Sequence, residues 1–252
     1  MKFNTESTNY TLGFVFVLTA FVALVLTILF SGWKEKSEEN EAIFNKRAIL
    51  EAVGTKLDKP VSSLADREVL DIFNNQIQQV ALDSKGDEIA KDAIVNSGYK
   101  SGKPEDINMK NELRKPSEKR VLPMYIFGKG KDKTYILSLR GNGLWDEIWG
   151  YVALNNDFNT VAGVAFDHKG ETPGMGAEIK DNANFKKQFI GKKIFDDNGN
   201  LVSLKVHKGK AKVPSPHEVD GITGATLTGN GLSKMLQTGI KNYENYLKKH
   251  KK

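Results

Sequence analysis

The sequence predicts an α+β protein: a single N-terminal transmembrane helix, then one domain with an antiparallel sheet and flanking helices. Three observations lead there. Nineteen consecutive residues, Leu12 to Phe30, carry no charge. Paired apolar runs separated by Gly, Asn and Asp turns fill the middle of the chain. A stripe of apolar residues at helical spacing closes it.

The first element is the apolar run, "LGFVFVLTAFVALVLTILF", polar only at Thr19 and Thr27. At ~1.5 Å rise per residue it matches a hydrocarbon core of roughly 30 Å. Tyr10 and Trp33 flank it at the height of aromatic belts, with Lys34 and Lys36 beyond. A cleaved signal peptide has an apolar region of about 7–15 residues, a basic lead and a small-x-small site. Here only Lys2 precedes the run and "FSGWKEK" follows it, so the helix reads as an uncleaved anchor. Lys34, Lys36, Lys46 and Arg47 after the helix, against Lys2 before it, put the large domain in the cytoplasm on a simple count. That rule is weak for a domain this long, because long domains translocate regardless of flanking charge.

Composition excludes several chemistries. With no cysteine among 252 residues there is no disulfide, thiolate metal site, iron–sulfur cluster or cysteine nucleophile. The net charge of +6 includes Lys248, Lys249, Lys251 and Lys252; the remainder, about +2, gives no case for a nucleic-acid partner. His168, His207, His217 and His250 show no metal-pair spacing, so no metal site is assigned.

Beyond the anchor, Ser37 to Val53 has helical spacing and stops at Gly54. Ser62 or Ser63 is placed to cap a second helix with Val69, Leu70, Phe73, Ile77 and Val80 along one face. Asp83 to Lys119 is polar, weakly periodic and reads as peripheral loop with short elements. Leu122 to Phe127 and Thr134 to Leu139 read as strands, and "GYVALNNDFNTVAGVAF" reads as a hairpin turning at Asn155, Asn156 and Asp157. "NANFKKQFIG" is a short helix and Leu201 to Val206 a further strand. Gly231 to Lys249 forms the last helix, with Leu232, Met235, Leu236, Ile240, Tyr243 and Leu247 on one stripe. The expected organisation is a tail (1–11), an anchor (12–31), a helical neck and peripheral segment (32–119) and a domain (120–252).

Three glycine-rich patches stand out. In "RGNGLWDEIWGY" two glycines precede Leu144 and Trp145; on a helical turn Trp145 and Trp149 would share a face, while a corner between strands suits Trp149 better. "DHKGETPGMGAEI", directly after a strand, has the density of a binding loop rather than a plain turn. "DGITGATLTGNG" spends three threonines and much backbone freedom just ahead of the last helix. As physics alone it is a phosphate-friendly loop at a helix N-terminus, or a simple N-cap by Thr228 or Asn230. It lacks the lysine of a P-loop and the dinucleotide glycine pattern.

"DGITGATLT" resembles the flavinylation motif of FMN-binding domains, Asp-x-x-Ser/Thr-Gly-Ala-Ser/Thr-x-Thr, at every fixed position. With "GNGLW", "GETPGMG" and the anchor, the chain resembles the C-subunit family of the Na+-translocating NADH:quinone oxidoreductase. The G subunit of the Rnf complex shares anchor, loop and motif, but the neck and the segment from "GLWDEIWGYVAL" to "GETPGMG" favour the former. The resemblance implies FMN joined through its phosphate to Thr228, with Gly224 and Ala225 letting backbone approach and Thr223 and Thr226 as hydrogen-bond donors. A flavin ring needs a partly apolar slot, for which Leu144, Trp145 and Met175, with backbone of Glu171, Thr172, Pro173 and Gly174, are the candidates. The implied role is an electron carrier with no catalytic residue of its own. Its implied setting is a six-subunit NADH:ubiquinone complex of the bacterial inner membrane, with the domain periplasmic. A Mg-dependent FMN transferase using FAD would attach the cofactor. A stand-alone membrane-anchored FMN reductase and a structural module with glycine turns are the readings from other classes.

Overall fold

The computed structural model describes residues 7–210 and 213–251; Lys2 and Lys252, used in the charge arguments, lie outside the described residues. The chain divides into two compact units, Met1–Asn45 and Lys46–Lys252. In the first, helix α1 (Thr8–Glu51) begins and runs without interruption, where two helices were expected. Gly32 alone does not break it, because "WKEKSEENEA" is rich in helix formers and free of proline. An 18-residue window within it has mean hydropathy 2.8 and no buried residue, so it is long and apolar enough to cross a membrane.

The second unit opens on the last turn of α1 and continues with α2 (Asp66–Gln76), β1 (Ile77–Leu82), α3 (Lys91–Asn96) and α4 (Met109–Glu112). Strands β2 (Leu122–Phe127), β3 (Thr134–Asn142), β4 (Glu147–Leu154) and β5 (Val161–His168) follow, then α5 (Glu178–Asp181) and α6 (Ala183–Lys187). A two-stranded parallel pair, β6 (Lys205–Val206) and β7 (Glu218–Val219), precedes α7 (Thr226–Asn242) and α8 (Glu244–His250). Strands β1 to β5 form one antiparallel meander in chain order.

Both sheet faces are covered, which explains why β2 is buried along its whole length. The period-2 alternation sends Met124, Ile126, Leu137, Leu139, Val152 and Phe166 to one face, against Leu232, Met235, Leu236 and Ile240 of α7. Tyr125, Phe127, Ile136, Tyr151 and Ala153 go to the other, against Ile49 and Leu50 at the end of α1, Val53 in the turn after it, and Val69 and Phe73 of α2. The result is three layers with the sheet in the middle.

Several expectations are corrected. Ile77 and Val80 are not on the second helix: α2 ends at Gln76 and β1 starts at once, pairing Ile77 with Phe127 through Leu82 with Leu122. The i, i+3, i+4 apolar pattern fits both readings, and the otherwise unpaired edge of β2 decides for strand. The sheet therefore draws its first strand from the segment assigned to the neck. Neither Ser62 nor Ser63 caps α2; Ala65 is the N-cap, and its N–H donates to the Glu68 carboxylate at 2.8 Å. Of Leu201 to Val206 only Lys205 and Val206 are strand, because Ser203 adopts φ +63°. Most consequential, the last helix begins at Thr226, not Gly231, with Ala225 rather than Thr228 or Asn230 as N-cap. It ends at Asn242, where Tyr243 leaves the helix and sends its hydroxyl to within 2.8 Å of Pro123 O and 3.0 Å of Ser138 O.

Candidate functional site: a cleft at the start of the last helix

Antiparallel pairing brings the end of β3, the start of β4 and the end of β5 to one edge of the sheet. The β3–β4 hairpin tip, closed by the Gly143 N–H to Asp146 O bond of 2.8 Å, carries Leu144 and Trp145. Trp145 thus sits in a turn and Trp149 in β4, where the guanidinium of Arg140 lies 5.4 Å from its ring; they do not share a helical face. Beside the tip runs the glycine-rich loop after β5. Lys169 joins it to the tip twice, by its N–H to Glu147 O at 3.0 Å and its ammonium to Asp146 at 3.0 Å. The Glu147 N–H and then Lys169 hold the Asp146 carboxyl below its ordinary range.

The first turn of α7 completes the site. Gly224 takes φ +79°, a left-handed conformation that a side chain would strain, and turns the chain so that α7 starts two residues later. The last two motif threonines are consequently helical, with Thr226 at the first position and Thr228 at the third, while Thr223 stays in the turn before the helix. The N–H groups of Thr226, Leu227 and Thr228 have no acceptor within the helix and carry its positive dipole end.

Between these three segments lies an open cleft of about 260 Å³. Leu144, Trp145 and Met175 are its apolar wall, Glu171 and Thr172 its loop side, and Gly224, Ala225, Thr226 and Thr228 its helix side. Gly176, one of the glycines of the expected binding loop, also lines it, as does Leu227, which sequence reasoning passed over; Leu227, 58% exposed, is an apolar residue inside an otherwise small and polar stretch. Pro173, Gly174 and Thr223 are adjacent in the chain but outside the lining. Trp145 is 69% exposed, anchored by its indole N–H to Thr172 Oγ1 at 3.2 Å.

Thr228 and Glu171 form the floor. Thr228 is 2% exposed and Glu171 4%. The Thr228 hydroxyl donates to Glu171 Oε2 at 2.5 Å, and the Trp145 backbone N–H donates to Oε1 at 2.9 Å. Sequence reasoning gave Glu171 only a backbone role; the one available signal was an acid placed among glycines.

An FMN-type ligand fits this arrangement. The N–H groups at the α7 terminus suit a phosphate, and the apolar wall suits one face of a planar ring.

The comparisons agree with that fit. Residues 143–241 match the FMN-binding domain family, a span that contains all three walls of the cleft. The C subunit of the Na+-translocating NADH-quinone reductase of Vibrio campbellii is 32% identical, over 92% of this chain and 90% of its own. The chain belongs to that C-subunit family. The Pseudomonas aeruginosa homologue is also 32% identical, over 92% of this chain and 91% of its own. Among solved structures, the C subunit from Parabacteroides distasonis superposes with a TM-score of 0.71 at 27% identity, covering 85% of this chain and 96% of its own.

Proposed function

We propose that this C-type subunit is an electron carrier, working through an FMN linked by its phosphate to the Thr228 oxygen. The observation that carries the reading is the position of Thr228. It is the last threonine of the motif, on the floor of a cleft that has an apolar wall of Leu144, Trp145 and Met175 on one side and a helix N-terminus on the other. The α7 terminus stabilises the phosphodiester charge, and Thr226 and Gly224 shape its surroundings. Leu144, Trp145 and Met175 would hold the ring, which would supply the redox chemistry when bound. The loop's Pro173 and Gly174, and Thr223 before the helix, set the shape of the walls.

In this reading the chain takes one electron from a neighbouring redox centre and passes it to the next flavin. It works as one of six subunits of a complex that oxidises NADH, reduces ubiquinone and exports Na+. NADH and sodium are handled elsewhere, since the sequence has no dinucleotide fingerprint and the anchor run has no charged residue. α1 anchors the protein in the bacterial inner membrane with the domain on the periplasmic side, where an FMN transferase loads it.

The test is direct. Wild type and Thr228→Ala are coexpressed with a flavin transferase, denatured, separated on a gel and viewed under ultraviolet light. A fluorescent wild-type band that the mutant lacks is the expected result, with the flavin mass on a peptide spanning Thr228. A dark wild-type band, with the transferase active on a control substrate, would refute the reading.

A further inference from the structure

We infer that Glu171 is the base that takes the proton from the Thr228 hydroxyl when the flavin phosphate is attached. This rests on the proposed attachment at Thr228. A threonine hydroxyl is a weak nucleophile, and chemistry on it needs a proton acceptor within hydrogen-bond reach, about 2.6–3.2 Å. Glu171 Oε2, at 2.5 Å, lies just below the near limit of that range and is within direct reach of the hydroxyl proton.

The surroundings are built around that contact. A Cβ on Gly176 would lie 2.6 Å from Thr228 Oγ1 and would also press on Glu171 Oε2, so only glycine leaves the pair room. Gly143 plays the same part against Oε1. The Trp145 N–H holds Oε1 at 2.9 Å and thereby fixes which oxygen faces the threonine. A carboxylate merely filling space would not need its second oxygen clamped and its first aimed at the one hydroxyl that the chemistry uses. Thr228 is the third residue of α7, inside the helix rather than at its N-cap, which is Ala225.

The step balances with a pyrophosphate-activated flavin, the class of FAD, as donor. Thr228 Oγ bonds to the flavin-side phosphorus. The bond from that phosphorus to the bridging oxygen breaks, and the adenylate leaves with that oxygen and both electrons. The hydroxyl proton passes to Glu171 Oε2, and nothing is oxidised or reduced. The neutral carboxyl left behind then sits beside the new phosphodiester without like-charge repulsion.

The experiment uses the full chain in detergent with FAD, Mg2+ and a flavin transferase, following initial rates of covalent incorporation by intact mass. Glu171→Gln keeps shape and volume and is expected to attach flavin roughly 10²–10⁴-fold more slowly, the range for loss of a general base. Thermal melting is measured on the same samples and is expected to stay near wild type. A Glu171→Gln rate within threefold of wild type overturns the inference and leaves attachment at Thr228 standing. Failure of wild type to incorporate flavin would instead overturn the attachment reading itself. If Glu171→Gln also melts early, Glu171→Ala with added formate decides. Formate restoring the rate supports the base role, and a rate that formate leaves flat, at unchanged melting temperature, overturns it.

Discussion

Alanine at Gly231 and at Gly229 should move stability in opposite directions, although both lie in α7 and are two residues apart. On propensity alone each change favours the helix by up to about 1 kcal/mol. The surroundings differ. A Cβ at 229 would meet Val206 Cγ1 at 3.4 Å, ordinary van der Waals contact. A Cβ at 231 would lie 2.3 Å from the Asn142 carbonyl oxygen and 3.0 Å from Gly143 Cα, both backbone. Asn142 is paired with Glu147 in the sheet and cannot swing aside. α7 must therefore retreat from β3 by about 0.7 Å to reach the closest approach that real Cβ atoms show. A radial gap of roughly 0.5–1 Å forfeits about a quarter to a half of each dispersion contact, and overpacking of this kind costs about 1–3 kcal/mol. Leu232, Met235 and Leu236 would feel that gap first.

The overlap therefore outweighs propensity at 231 and is absent at 229. For a unit of this size about 1 kcal/mol corresponds to roughly 2–4 °C. With up to about 1 kcal/mol of propensity set against an overlap of about 1–3 kcal/mol, the net loss at 231 is up to about 2 kcal/mol. Thermal melts of the full chain in detergent should therefore show Gly231→Ala lower by up to about 8 °C and Gly229→Ala unchanged or raised by up to about 4 °C. Since Thr228 is three residues from the clash, Gly231→Ala should also slow flavin incorporation. A displacement near 1 Å costs positioned chemistry on the order of 10²-fold at most. A rise in melting temperature for Gly231→Ala would refute the packing argument, because it would mean that α7 does not press on the β3 end.

Other outcomes follow from the same structure. Tyr243→Phe removes the hydroxyl beside Pro123 O and Ser138 O, leaves two buried carbonyls without it, and should cost about 1–3 kcal/mol in a denaturant titration. Trp145→Ala should change stability by less than about 0.5 kcal/mol, because the indole is largely exposed, yet shift the absorbance or potential of the bound flavin; an unchanged spectrum and potential would remove it from the ring site. Glu147 is held below its ordinary 4.5 by hydrogen bonds from Lys110 and then Arg140. A depressed carboxyl stabilises above its unfolded pKa and loses that contribution as pH falls through its folded value. The stability gap between wild type and Glu147→Gln should accordingly be full at neutral pH and shrink below about pH 4.5; a constant gap would show that the ion pairs do not set it.

What the sequence made legible follows from how local each signal is. The long apolar helix, β2, most of β3 and the β4–β5 hairpin are legible because hydrophobic length and period-2 alternation are carried by neighbouring residues. β1 is missed because its identity depends on a strand about 45 residues downstream, and "IQQVAL" satisfies helical and strand spacing alike. The cleft residues were named one patch at a time, and antiparallel pairing is what gathers Leu144, Trp145, Glu171, Thr172 and Met175 beside Thr228. The start of α7 shows the same limit more sharply. Gly229 and Gly231 argue for loop on propensity, yet Gly231 is where the helix must approach the Asn142 carbonyl. Only long-range packing reverses that local preference. By setting the helix start at Thr226, the packing turns Thr228 from an apparent cap into a buried hydroxyl aimed at Glu171. The glycines that hid the helix from sequence reasoning are thus the ones that let it reach the site, and the carboxylate in the neighbouring loop has meaning only once it does.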